Sequence, residues 1–310
     1  MRRNLRSVAV AVLCAGAAAN CKPRESSPAP EATPKPAPEP AARIAARQAW
    51  RAEQDRTMRS ELSPLSRVDY VHLPAGEHVV KAGAPPLNLS ADALAPYSGE
   101  LRLKIADGHF TFTAAPPLAL NGTPTDKAEL SSGNVLALGR LRLLVSNVPK
   151  DPSLAIYDPQ APSRRAYSGL HYYPDNAEYV TRGQLTRYAE PRTVRVAATR
   201  GEDREQLAVG TLNFTLRGQS ASMEAYAEQP GSNRLFLIFR DATCGQPGKS
   251  YGAGRYLYAT ASTDGSVELD FNQTWNPLCA YSPFFHCPIP PRTNWFKFEI
   301  PVGEKLYAEH

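Results

Sequence analysis

Beyond Asp69 the chain shows no apolar pattern of helix length. Its hydrophobic residues recur at every second position, in short runs broken by turn residues. That period belongs to strands, whose successive side chains point to opposite faces. Leu101, Leu103 and Ile105 alternate with Arg102 and Lys104, Asp107–Gly108 supplies a tight turn, and Phe110 and Phe112 resume the same face. Asn121–Gly122 repeats the device, and Leu130 leads through Gly133–Asn134 to VLALGRLRLLV, a further strand pair turning near Gly139. Without crossover helices such strands cannot form a parallel sheet. The expected fold is mainly β and antiparallel.

A second group follows Tyr167. GLHYYPDN reads as a strand that breaks at Pro174–Asp175. Alternating runs then fall at Val194–Ala197, Leu207–Leu216, Ser222–Tyr226, Arg234–Arg240, Arg255–Ala259, Val267–Phe271 and Phe296–Ile300. The expectation is a small β-sandwich over 67–160 and an antiparallel β-sandwich or barrel over 161–310. A chain of 310 residues, 42% hydrophobic, is long enough to give each its own core.

Ahead of the strands, residues 1–20 read as an export signal. Arg2, Arg3 and Arg6 precede the apolar run Val8–Ala19, which is shorter than the roughly 20 residues that span a bilayer. Ala17 and Ala19 suit cleavage before Asn20; cleavage before Cys21 with acylation of its thiol is the other reading. The mature protein is thus expected to be periplasmic or a membrane-anchored lipoprotein. Residues 21–42 are a Pro/Ala-rich linker with too few apolar side chains to order it. A helix is expected over 43–66, with Trp50, Gln54, Met58 and Leu62 on one stripe packed against the β-structure behind it. Ser63–Pro64 should stop it.

Leu269–Pro291, LDFNQTWNPLCAYSPFFHCPIPP, gathers prolines, aromatics and two cysteines after a strand. Cys279 and Cys287 suit a disulfide in an oxidising compartment, where closing so short a loop contributes about 2.5 kcal/mol. A metal site would need Cys244, Cys279, Cys287 and His286. No CxxC pair exists, and His286 points away from its neighbour in extended backbone, so no metal or cofactor is expected. Tyr251, Gly252 and Gly254 lack the strand–GxGxxG–helix setting of a nucleotide site. The net charge of +5 is inflated by arginines in the signal and linker and gives no case for nucleic acid.

Two resemblances follow from motifs. LNGTPTDKAELSSGNVLALGRLRLLV resembles the second half of a forkhead-associated domain. That family binds phosphothreonine through a Gly-Arg and a Ser/His pair, and HVVKAGAPPLNLSADALAPYSG carries neither. Phosphopeptide binding is therefore not expected. YSGLHYYPDN, LFLIFRDAT, SYGAGRYLY, LDFNQTWNP, CAYSPF, CPIPP and VGEK, in that order, resemble an uncharacterised bacterial and archaeal family, domain of unknown function 1684. Trp275, Leu278, Thr293 and Cys244 depart from its usual residues. That family supplies positions but no activity.

Among those positions, Arg240, Asp241, Arg255 and Asp270 can form one polar cluster. It would serve either acid/base chemistry or the anchoring of the proline-rich loop, with Arg240 or Arg255 holding Asp270 and Asn272. Tyr251, Tyr256, Trp275, Asn276 and Tyr281 are further binding candidates. Besides a third, metal-dependent site on the cysteines, two function classes remain. One is a non-enzymatic, envelope-associated binding or structural module facing an envelope component or small ligand. The other is a hydrolase-like enzyme using the Arg/Asp cluster near 240–272. A deep pocket where the four charged side chains converge would mark the enzyme; a shallow surface over internally satisfied groups would mark the binder.

Overall fold

The computed structural model describes residues 39–307 apart from positions 86, 108, 149 and 150. The expected signal segment, Cys21 and the linker as far as residue 38 lie outside the described residues.

Helix α1 (Ala41–Arg59) is built from Ala, Arg, Gln and Glu, which lose little freedom in a helix. Arg56 and Arg59 occupy its last turn, where the unpaired carbonyls favour positive charge. It ends at Ser60, whose hydroxyl donates to the Thr57 carbonyl at 2.8 Å. Pro64–Ser66 form a separate 3-10 turn capped by the Ser63 side chain, so the continuous helix stops short of residue 66. Leu62 consequently leaves the stripe and is exposed, while Met58 packs with Leu65 and Tyr281.

The first sheet comprises β1 (Arg67–His72), β2 (Gly76–Val80), β3 (Glu100–Ala106), β4 (His109–Leu120), β5 (Thr123–Leu130), β6 (Val135–Leu138), β7 (Leu141–Val148) and β8 (Asp151–Tyr157). Its antiparallel order is β1-β8-β7-β6-β4-β3-β2, with β5 also on β4. The sheet curls around Leu101, Leu103, Phe110, Phe112, Leu143 and Ile156. The turn residues behave as their chemistry requires: Asp107, Asn121 and Gly122 all have positive φ, which tight hairpins need.

The second sheet comprises β9 (Val180–Val196), β10 (Arg204–Leu216), β11 (Gln219–Ala227), β12 (Arg234–Phe239), β13 (Arg255–Thr260) and β14 (Ser266–Asp270), in the order β13-β12-β11-β10-β9-β14. Strand β9 begins far ahead of the expected Val194. Its early part, VTRGQLTRYAEP, buries only Gly183 and Leu185, so the hydrophobic alternation that announces a strand is absent there. Two expected strands are irregular instead. GLHYYPDN makes one bridge, Tyr172 to Glu304, and Phe296–Ile300 runs beside the end of β12 through the Phe296 amide on the Arg240 carbonyl at 2.7 Å. The apolar side chains of that last segment plug the barrel: Phe296 and Ile300 join Phe214, Phe239 and Phe271 in its core.

This barrel closes imperfectly. Its edge strands β13 and β14 meet through the bridge Ala261–Val267, and β13 pairs again at Tyr256–Trp275. Between these bridges four residues, 257–260, face seven, 268–274, because Phe271–Gln273 coil into a 3-10 turn. The seam gapes at that place, and α1 lies against it through Arg43–Glu268 and Arg47–Asp270. The two sheets touch through the proline-rich loop, where the Ser282 hydroxyl donates to the Arg67 carbonyl at 2.8 Å and the Arg67 guanidinium lies 4.3 Å from the Phe285 ring centroid.

Candidate functional site

The charged residues singled out by sequence do not converge: Arg255 with Asp241, and Asp270, are enclosed at separate places, while half-buried Arg240 belongs to neither. Arg255, at the start of β13, and Asp241, just past β12, pair at 3.0 Å with fully buried side chains. Arg255 also donates to the carbonyls of Ile300 (2.6 Å) and Val302 and to the Thr274 hydroxyl. Asp241 accepts from the Thr243 amide and hydroxyl at 2.7 and 2.6 Å. The acid–base pair is thereby committed to tying the C-terminal segment to the barrel. Gly303 makes the close approach possible: with φ +77°, an added Cβ would stand 2.0 Å from the Thr274 hydroxyl oxygen.

Asp270 is not held by Arg240 or Arg255. Its cation is Arg47 of α1, at 2.7 Å, and its other oxygen accepts from the Asn272 amide and side chain at 3.0 and 2.8 Å. Arg47 is itself fully buried and reaches Glu39 and, at 3.5 Å, Asp175. The reason lies in the direction of the strand end, which presents Asp270 to the helix outside the barrel while Arg255 points into the closed end. Arg240 serves a third purpose, donating to the Gly252 and Cys244 carbonyls and lying 4.8 Å from the Trp295 ring.

Most of the remaining candidates are structural as well. The Tyr256 hydroxyl donates to the Pro288 carbonyl at 2.6 Å, Tyr251 to the Cys279 carbonyl at 3.4 Å, and the Asn272 side chain to the Asn176 carbonyl at 3.1 Å. Asn276 gives its side-chain amide to the Lys305 carbonyl at 2.7 Å. Cys279 and Cys287 are unbonded but adjacent, the Cys279 amide lying 3.3 Å from the Cys287 sulfur. The hydrogen bond between the thiols pulls Cys279 down to about 7 and pushes Cys287 up, so Cys279 is the more acidic partner. Cys244 is buried beside Asp241, and that burial pushes its thiol up to about 11.

One group that sequence reading left without a role is Glu304. Its carboxylate is buried and accepts from the Tyr281 hydroxyl and the Asn276 amide. Burial pushes its pKa from 4.5 up to about 7, with those hydrogen bonds opposing. Between the unfolded and folded values the folded state holds the extra proton, so stability falls as pH rises from about 4.5 to 7, by about 3 kcal/mol. Glu304→Gln should remove that slope: its melting temperature relative to wild type should rise from pH 4.5 to 8. Parallel curves for the two proteins would show that Glu304 does not titrate in this range.

The open feature is the gap in the seam. There a groove of about 410 Å³ is walled by Trp50 and Gln54 from α1, Arg234 from β12, Tyr258 from β13, and Gln273 and Trp275 beyond β14. The Tyr258 and Trp275 rings are nearly parallel, 24° apart with centroids 6.1 Å apart, and the Arg234 guanidinium lies 4.0 Å from the Tyr258 centroid. Tyr258 is the most exposed aromatic residue of the barrel's hydrophobic surface, at 39%. Its ring also borders a second groove carrying Glu205 and Glu228. A wider depression over Thr181, Gln184, Asn213 and Ser222 lies across β9–β11 and reaches Ser266 of β14. Of the groove residues, sequence reading named Trp275 as a binding candidate and placed Trp50 and Gln54 on the helix stripe. Arg234, Tyr258 and Gln273 were missed; the outward alternation of Tyr256 and Tyr258 across the edge strand was the only available signal.

None of the curated proteins matches the chain. A solution NMR structure of an uncharacterized protein from Haloarcula marismortui is 34% identical over 49% of this chain and 85% of its own, with a TM-score of 0.41. Residues 165–305, which carry the second sheet, the sealed Arg255–Asp241 pair and Glu304, match the model of the family described as protein of unknown function DUF1684, and the chain belongs to that family.

Proposed function

We propose that the protein is an exported, envelope-associated binding module without catalytic chemistry, whose ligand surface is the groove at the barrel seam. The observation that carries this reading is the contrast between two kinds of site. Every carboxylate offered for acid/base work is enclosed and hydrogen-bonded, while Trp50, Tyr258 and Trp275 converge with Arg234 at the surface. A hydrolase using Arg240, Asp241, Arg255 and Asp270 would need access that a fully buried pair does not give a substrate. Aromatic faces beside a few polar groups are the ordinary makeup of a small-ligand site.

Export supplies the setting for the cysteines, whose adjacency suits a Cys279–Cys287 disulfide worth about 2.5 kcal/mol by loop closure. Co-sedimentation with purified envelope fractions from the native host tests the reading. The wild-type protein, recovered with a mature start at Asn20 or Cys21, should pellet with one fraction, and Trp275→Ala should lose at least tenfold in affinity. Wild-type pelleting that survives substitution of both Trp275 and Tyr258 would end the assignment of this groove.

A further inference from the structure

We infer that the groove is a subsite for a carboxylated saccharide unit, one acidic pyranose flanked by neutral sugars. The inference rests on the binding reading above and names its ligand class. Volume comes first. About 410 Å³ fits one or two sugar rings and lies within the usual range for small-molecule sites. The wall comes next. The near-parallel faces of Tyr258 and Trp275 are suited to the flat C–H surface of a pyranose, and the lining also brings the side-chain amides of Gln54 and of Gln273, whose nitrogen donates to Asp270 at 3.4 Å.

The seam adds main-chain groups. The Tyr256 amide and carbonyl both bond to Trp275 at 3.0 Å, so those of Tyr258, two residues on, face the same gap. That open edge spans only residues 257–260 between the two bridges, too short for an added peptide strand.

Charge decides the class. Among the described residues that line the groove Arg234 alone is ionised, and Tyr258 beneath it holds its planar fork. Such a fork pairs bidentately with a carboxylate, whereas a cationic ligand would meet Arg234 with its nearest acid, Glu228, already ion-paired to that same guanidinium and outside the groove lining. Glu205 and Glu228 lie just across Tyr258, and Glu228 approaches Arg234 at 3.5 Å. A run of adjacent carboxylates, or a polyphosphate, would press a second negative charge against those acids. An isolated carboxylate between neutral rings avoids that repulsion.

Titration calorimetry on the intact mature chain tests this with three probes: a glucuronate–N-acetylglucosamine tetrasaccharide, tetragalacturonate and chitotetraose. The alternating probe should bind at least tenfold more tightly than the other two. Arg234→Gln, at an exposed position, should bring it down to the level of chitotetraose, and Trp275→Ala should abolish binding of all three. Equal affinity for chitotetraose, an unchanged constant in Arg234→Gln, tighter binding of tetragalacturonate, or no binding of the alternating probe would each overturn the inference. The binding reading itself stands or falls separately, on whether Trp275→Ala still loses the envelope fraction.

Discussion

Arg255→Ala is expected to lower the stability of the protein by about 3–5 kcal/mol, the usual result of removing one partner from a buried ion pair. The melting temperature should drop by roughly 10–15 °C for a unit of this size. The size of the effect follows from what is left behind: Asp241 fully enclosed without its cation, and the Ile300 and Val302 carbonyls without their donor. Asp241→Asn keeps an acceptor for Thr243 and should cost less. Urea denaturation of the three proteins measures both. A drop below about 1 kcal/mol for Arg255→Ala would show that the cluster relaxes to admit water and is not a structural lock.

Arg47→Ala is expected to act locally and almost as strongly. Its guanidinium fills the space between α1 and the strand end, and without it the Asp270 carboxylate loses its cation at 2.7 Å. A loss of about 2–4 kcal/mol in helix docking should follow. Since the barrel core does not include α1, the helix should open as a separate unit. Hydrogen exchange should show α1 amides losing protection by roughly one and a half to three orders of magnitude, with β10 and β12 unchanged. Equal loss across helix and barrel would mean that the helix is integral to the fold; no loss would mean that Arg43 and the apolar contacts suffice.

The fold was legible wherever one face of a strand is wet and the other dry. The alternation in β3 and the turn residues Asp107 and Asn121–Gly122 carry their own geometry. Strand β9 was hidden because most of its early residues meet solvent on both sides, and the Phe296–Ile300 run misled because alternating apolar residues can also plug a barrel end. The Arg255–Asp241 pairing was readable as chemistry, since a buried carboxylate demands a cation. Asp270 found its cation more than two hundred positions away in sequence. Arg43, Arg47 and Arg51 stand at helical spacing and do mark a basic stripe, but nothing in the sequence says which acids it meets. The groove was the least legible part. It exists because a 3-10 turn lengthens one side of a seam, and no residue type signals that mismatch.

The groove is also shared property. Trp50 and Gln54 ride on α1, whereas Tyr258, Gln273 and Trp275 belong to the barrel. On the proposed binding reading, a ligand would see a complete site only in that fraction of molecules whose helix is seated, and its apparent affinity would be scaled by that fraction. The same linkage runs in reverse, so an occupied groove holds the helix down. Arg47 does not itself line the cavity, so on that reading weakening its hold on Asp270 would lower affinity by unseating the helix that carries Trp50 and Gln54.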